Sequence, residues 1–151
     1  MRIHRAWPGV VALVLSLGLV VSPAEAHQGA VASSGPCQLI RGNSETVQAF
    51  SKRLITCAAG RWPTPGGAYR GICIADRESG LVPTATSPRR TYLGLFQHSS
   101  HDWPQRYQAW ALPAWHLATS ALNGRTNTIV TFRMVAAAGG WVAAGWPVDG
   151  C

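Results

Sequence analysis

The residues of this chain best suited to chemistry are Glu78, Ser79 and Gly80, answered a loop later by Gly94, Leu95, Phe96 and Gln97. The apolar run from Ile72 to Ala75 leads into the first group, and the Ser-Gly pair ends it. A mostly uncharged helix that delivers one Glu to its C-terminal end tends to bury a carboxyl group. Burial disfavours the charged form, and a carboxyl group that keeps its proton acts as a general acid. A surface Glu in a last helical turn is the plainer reading of these three residues. The Gly-Leu-Phe-Gln segment at loop distance favours the chemical one.

A glycosidase ordinarily flanks the scissile bond with two carboxyl groups. Beyond residue 26 the acidic residues are Glu45, Asp76, Glu78, Asp102 and Asp149. Glu45 is expected in the first turn of a helix, where it suits the helix dipole. Asp76 lies two residues before Glu78 and so points to another face. Asp149 falls in the tail. Asp102 is left as the second carboxylate, although its place before Trp103-Pro104 reads first as a helix N-cap.

The pair Glu78-Ser79-Gly80 and Gly94-Leu95-Phe96-Gln97 resembles the Glu-Ser and Gly-Leu-Met-Gln motifs of the soluble lytic transglycosylase domain. That domain belongs to the lysozyme-like superfamily, close to goose-type lysozyme. Secreted actinobacterial members are similar over roughly residues 47–146, with a Trp-Pro after the Gln and a late helix ending in Gly-Trp. The resemblance implies a mainly α, α+β lysozyme-like fold and a single catalytic Glu, here Glu78. It implies that Ser79 orients groups beside the acid, and that Gln97 and the backbone around Gly94 line the cleft. It implies no metal and no cofactor. The family's Ala-Tyr-Asn motif, whose Tyr approaches the acid, has no counterpart; Tyr92 and Tyr107 are the candidates to replace it. Asn127 matches the Asn that opens the later helix, as a cap rather than a ligand. Among the Trp residues, each of which reads first as core, Trp103 is the best cleft candidate because it follows Gln97 closely.

The elements that must position these residues are legible in outline. Residues 1–26 have a basic start, an uncharged run from Gly9 to Val21 and an Ala-Glu-Ala cleavage site, the pattern of a secretory signal. Residues 27–42 read as a flexible Gly-, Ala- and Ser-rich arm, and residues 43–151 as one domain. A first helix is expected from Asn43 or Ser44 to Gly60, with Val47, Phe50, Leu54 and Cys57 on one face. A second runs from about Ala68 to Ser79. A short hairpin or irregular lobe over 83–94 follows, then a helix from Asp102 with Trp103, Tyr107 and Trp110 on one face. The segment 112–125 has no clear pattern. A last helix is expected over 127–138, stopped by Gly139-Gly140.

After cleavage, Arg and Lys outnumber Asp and Glu by 11 to 5. For an exported chain the anionic partner implied is a cell wall or a membrane surface. No compact basic block marks a nucleic-acid binder, and no long basic amphipathic helix marks a membrane-active one. The four cysteines imply two disulfides in an exported domain. Of three pairings, Cys57–Cys73 would tie successive helices and Cys37–Cys151 would tie the chain ends, and these are the pairings expected. Zinc is not expected, since no Cys-x-x-Cys pair or His spacing offers ligands. The expectation is a secreted monomer acting on peptidoglycan glycan strands as a lytic transglycosylase, with Glu78 as acid and Ser79, Gly94, Gln97, Tyr92 and Trp103 around the substrate. A lysozyme-type hydrolase and a non-catalytic glycan-binding module on the same fold are the alternatives.

Overall fold

The computed structural model describes residues 35–151; the expected signal sequence and most of the expected arm lie outside the described residues. The elements run α1 (Val47–Arg61), α2 (Gly67–Ser79), a 3₁₀ turn (Pro88–Arg90), β1 (Tyr92–Leu93), β2 (His98–Ser99), α3 (Trp103–Trp110), a second 3₁₀ turn (Pro113–Trp115) and α4 (Gly124–Ala138). The domain is mainly helical, with a two-stranded antiparallel hairpin pairing Tyr92 with Ser99 and Leu93 with His98. No helix among the described residues is long and apolar enough to cross a membrane.

α1 starts later than its polar preface suggests. Thr46 is the cap, its Oγ1 accepting from the Ala49 N–H at 3.1 Å. Asn43 and Ser44 lie outside the helix. Glu45 also precedes the first turn, where its carboxylate accepts from the Gly42 N–H at 3.1 Å and from Arg53 at 2.9 and 3.0 Å. The helix runs through Gly60 to Arg61 because the Trp62 N–H still reaches the Ala58 carbonyl, at 2.8 Å.

α2 lies against α1 and α4 at a point where only glycine fits. A Cβ on Gly71 would fall 2.6 Å from Phe132 Cζ and 3.0 Å from Ile55 Cγ2. Phe132 stands edge-on to Phe96 and Trp141, and Phe96 also meets Trp146 edge-on, so aromatic rings fill the centre. Leu54, Ile55, Ile74, Leu95 and Val135 complete the core. α4 begins at Gly124, capped by Asn123, whose Oδ1 accepts from the Thr126 N–H at 3.0 Å. It ends where Gly139 turns to φ +76°.

Asn127 is not the cap expected. It sits fully buried inside α4. Its Oδ1 accepts the Phe96 N–H at 2.9 Å, and its Nδ2 donates to the Ala121 carbonyl at 2.9 Å and the Leu93 carbonyl at 3.4 Å. One amide thereby fixes both the hairpin loop and the segment before α4. Asn127→Ala leaves these backbone groups without partners in a dry site, and is expected to lower unfolding free energy by about 3 kcal/mol, read by urea titration.

The disulfides are Cys37–Cys57 and Cys73–Cys151, with Cα separations of 5.7 and 5.6 Å, which corrects the expected Cys57–Cys73 and Cys37–Cys151 pairs. The reason is helical sidedness. Ile55 and Gly71 meet at the α1–α2 contact. Two residues further on, each helix has turned by about 200°, so Cys57 and Cys73 point away from that contact. Cys57 meets the arm and Cys73 meets the tail. The bridges span 20 and 78 residues of sequence, which in the chain-entropy account corresponds to about 3 and about 4.5 kcal/mol of stabilisation. The end of the arm is tied down rather than loose: Cys37 is buried, and Arg125 Nε donates to the Pro36 carbonyl at 2.9 Å.

Candidate active site

Glu78 stands one residue from the end of α2. Gly80, at φ +61°, ends the helix, its N–H reaching the Asp76 carbonyl at 2.7 Å. Ser79 joins the two motifs: its hydroxyl lies 2.9 Å from the Ala75 carbonyl and 2.8 Å from the Leu95 carbonyl. The helix end is thereby stitched to the hairpin loop. Within that loop Gly94 takes φ +80° and Gln97 φ +47°. The Gln97 side chain folds back, its Nε2 donating to the Gly94 carbonyl at 2.8 Å and the Ala85 carbonyl at 3.2 Å. Leu95 and Phe96 plug the core between these two turns.

Glu78 borders a hollow of about 270 Å³ lined by Tyr92, Gln97, Gly145, Trp146 and Pro147 besides itself. A second hollow of about 320 Å³ is lined by Tyr92, Gln97, Ser99, Asp102, Arg106, Ala144, Gly145 and Trp146. Tyr92, Gln97, Gly145 and Trp146 belong to both, so the two form one depression with Glu78 at one side and Asp102 at another. An apolar hollow of about 380 Å³, bordered by Trp110, Met134 and alanines, meets the second at Ala144.

The carboxyl group of Glu78 is less enclosed than the apolar run of α2 suggests. Its side chain is 27% exposed, with an Arg77 Nη2 at 3.8 Å. Arg77 itself is engaged by the tail, donating to the Asp149 carbonyl at 2.7 Å and to the Pro147 carbonyl.

Asp102 occupies the N-cap position of α3 but its side chain makes no cap bond. Its Oδ1 instead meets His101 Nδ1 at 3.0 Å, and its Oδ2 lies 3.5 Å from Arg106 Nη2. The His101 hydrogen bond, helped by Ser99 and the Arg106 charge, holds this carboxyl below the usual carboxylate range against a smaller opposing effect of burial. Asp102 is therefore an ionised carboxylate that accepts hydrogen bonds and has no proton to donate.

Tyr92 is 49% exposed and lines both hollows. Tyr107 is spent elsewhere, its hydroxyl donating to the Leu117 carbonyl at 2.8 Å. Gly94 is buried and lines neither hollow; its contribution is to shape the loop that presents Gln97. Ser79 likewise lines neither. Trp103 corrects a further expectation. It is 6% exposed, its indole N–H donates to the Thr119 carbonyl at 2.7 Å, and it belongs to the core.

The Trp that lines both hollows is Trp146, which the sequence reading missed, although at 4% exposed it too belongs to the core. Its indole N–H donates to the Phe96 carbonyl at 2.9 Å, and the Arg106 guanidinium lies over its ring at 5.9 Å. The signal available was its setting, Gly145-Trp146-Pro147 close before a cysteine, which implies a fixed turn rather than a loose tail.

Behind Arg106 lies a buried relay. Arg106 Nη1 donates to His98 Nδ1 at 3.0 Å, so Nε2 carries the ring proton and donates to Thr131 Oγ1 at 2.8 Å. Thr131 in turn donates to the Asn127 carbonyl at 2.8 Å. Burial, and then the Arg106 charge, depress the His98 pKa to about 3. An unfolded chain takes up this proton near pH 6.5, so it binds more protons than the folded one between about pH 6.5 and 3. Stability is full above that window and is lost as pH falls through it, at up to about 1.4 kcal/mol per pH unit. Thermal melts from pH 7 to 4 should show this slope, and His98→Gln should remove most of it.

Among the described residues, no group of three or more His, Cys, Asp or Glu side chains is placed to hold a metal ion. Fold and site together define a small, mainly helical, two-disulfide domain with one Glu at the edge of a polar depression. No family model, curated protein or solved structure matches the chain.

Proposed function

We propose that the protein is a secreted peptidoglycan-cleaving glycosidase of the lytic transglycosylase type, cutting the β-1,4 bond from N-acetylmuramic acid to N-acetylglucosamine. The observation that carries this reading is the placement of Glu78 at the edge of a depression walled by Tyr92, Gln97 and Trp146. Its extension past these residues to Asp102 and Arg106 gives room for more than one sugar. In this reading a sugar over Glu78 excludes the water around its carboxyl group. Glu78 gives its proton to the leaving oxygen, and an oxocarbenium-like centre forms. The muramic acid C6 hydroxyl attacks that centre while Glu78 takes back a proton, leaving a 1,6-anhydro end. Tyr92 and the Gln97 amide bind the strand.

Asp102 favours a second reading, a lysozyme-type hydrolase. A carboxylate bordering the same depression could activate water in place of the internal hydroxyl. Mass spectrometry of purified peptidoglycan digested with the protein separates these. Fragments one water lighter than hydrolytic products support the transglycosylase, and ordinary reducing ends support the hydrolase. Binding to the wall with no fragments would leave a glycan-binding module.

A further inference from the structure

We propose that the Cys73–Cys151 disulfide is a redox latch that completes the depression beside Glu78. Oxidised, it holds Pro147 and the tail behind it against α2; reduced, it lets that segment leave while Trp146 and the helices stay packed. The inference goes beyond the activity proposed above and does not depend on it.

Three observations converge. The wall facing Glu78, Tyr92 and Gln97 is made by Gly145, Trp146 and Pro147, which follow the last helix and belong to no regular element. Beyond Trp146, the tail is exposed at Pro147, Asp149 and Gly150, and its non-covalent ties to α2 are donated by two arginines. Such exposed bonds hold a segment weakly in water. Trp146 is anchored independently, 4% exposed in the core with its indole N–H on the Phe96 carbonyl, so the covalent tie is the dominant one only from Pro147 onward, and its other end is on the helix that carries Glu78.

The second bridge differs where it matters. In the first bridge only Cys57 is half-buried and Cys37 is 8% exposed within the core, whereas Cys73 and Cys151 are both half-buried beside the exposed Gly150. A thiol from solution reaches the tail bridge first. A dithiol reductant supplies the chemistry. Its thiolate attacks one sulfur, the Cys73–Cys151 S–S bond breaks, and a mixed disulfide forms. The reductant's second thiol resolves this intermediate and leaves as a cyclic disulfide. Two electrons and two protons pass to the protein, which ends with two free thiols. Glutathione disulfide reverses the exchange.

The test uses the full chain. Graded dithiothreitol is followed by alkylation and mass spectrometry, with hydrogen exchange and far-ultraviolet circular dichroism on the same samples. The expected result is early alkylation of Cys73 and Cys151, about tenfold faster exchange or more over residues 148–151, and helix signal retained. Oxidation with glutathione disulfide restores protection, and Cys151→Ser reproduces the reduced state. A Cys37→Ala/Cys57→Ala variant keeps the tail protected. Reduction of both bridges together with loss of helix signal would overturn the proposal. So would a tail that stays protected once Cys73 and Cys151 are free. None of these readouts needs a wall substrate, so failure of the glycosidase reading is told apart from failure of the latch.

Discussion

Glu78→Gln is expected to lower the release of soluble fragments from purified peptidoglycan by about a thousandfold, the usual loss when a general acid is removed. Gln keeps the size and reach of Glu but neither donates nor accepts the proton that the two half-reactions exchange. The fold should be indifferent to the change. Among the described residues the one ion pair of Glu78 is the 3.8 Å approach of Arg77, and its side chain is partly in water. A surface change of this kind alters stability by less than about 0.5 kcal/mol. Equal melting temperatures with lost activity would assign the proton transfer to Glu78; full activity in the variant would end the glycosidase proposal. Asp102→Asn belongs in the same experiment. If the C6 hydroxyl is the nucleophile, the rate should fall by no more than about fivefold; if water is, the loss should approach that of Glu78→Gln.

Gly94→Ala is expected to be the most damaging single methyl group in the hairpin. Its Cβ would lie 2.1 Å from the Ala121 carbonyl oxygen and 2.3 Å from Asn127 Nδ2. The first is backbone, and the second is held by the Phe96, Leu93 and Ala121 hydrogen bonds, so neither yields cheaply. The φ of +80° adds strain for any residue with a Cβ. Together these should remove about 4 kcal/mol and roughly 15 °C of melting temperature. Gly80→Ala supplies the comparison. It shares a positive φ, +61°, but its Cβ would meet no heavy atom within 4 Å. Strain alone should then cost about 1 kcal/mol. Equal losses at the two positions would show that packing at Gly94 is not what its glycine serves.

The helices were legible because their signals are local. α2 is found at Gly67–Ser79 where periodicity and a terminal glycine place it one residue shorter. Gly139 stops α4 as a C-terminal glycine should. What the sequence hid depends on partners far along the chain. The segment after α3 shows no pattern because it is held from outside. Trp103, Tyr107 and Thr126 side chains bond to the carbonyls of Thr119, Leu117 and Ala118. Asn127 looks like a cap by position, yet it acts through loops some thirty residues earlier. The cysteine pairing turned on which face of α1 and α2 meets the other helix, and both helices have apolar residues on more than one side. Trp103 and Trp146 are equivalent by composition. Both are enclosed, and only the packed tail decides that the second also borders the depression. Of the candidate site, Glu78, Tyr92, Gln97 and Asp102 are placed at the depression, while Ser79 and Gly94 shape it from behind.

The depression draws one wall from the end of α2 and the hairpin, and the other from Gly145 to Pro147. Everything from the first strand through α4 must be in place before the two walls meet. Such a site has a high contact order and forms among the last features of the fold. A chain that has made its helices but not docked residues 145–147 displays Glu78 on an open surface with nothing to hold a strand against it. Refolding followed in real time should therefore recover helix signal before any ligand-binding or cleavage signal, with the lag set by docking of Trp146.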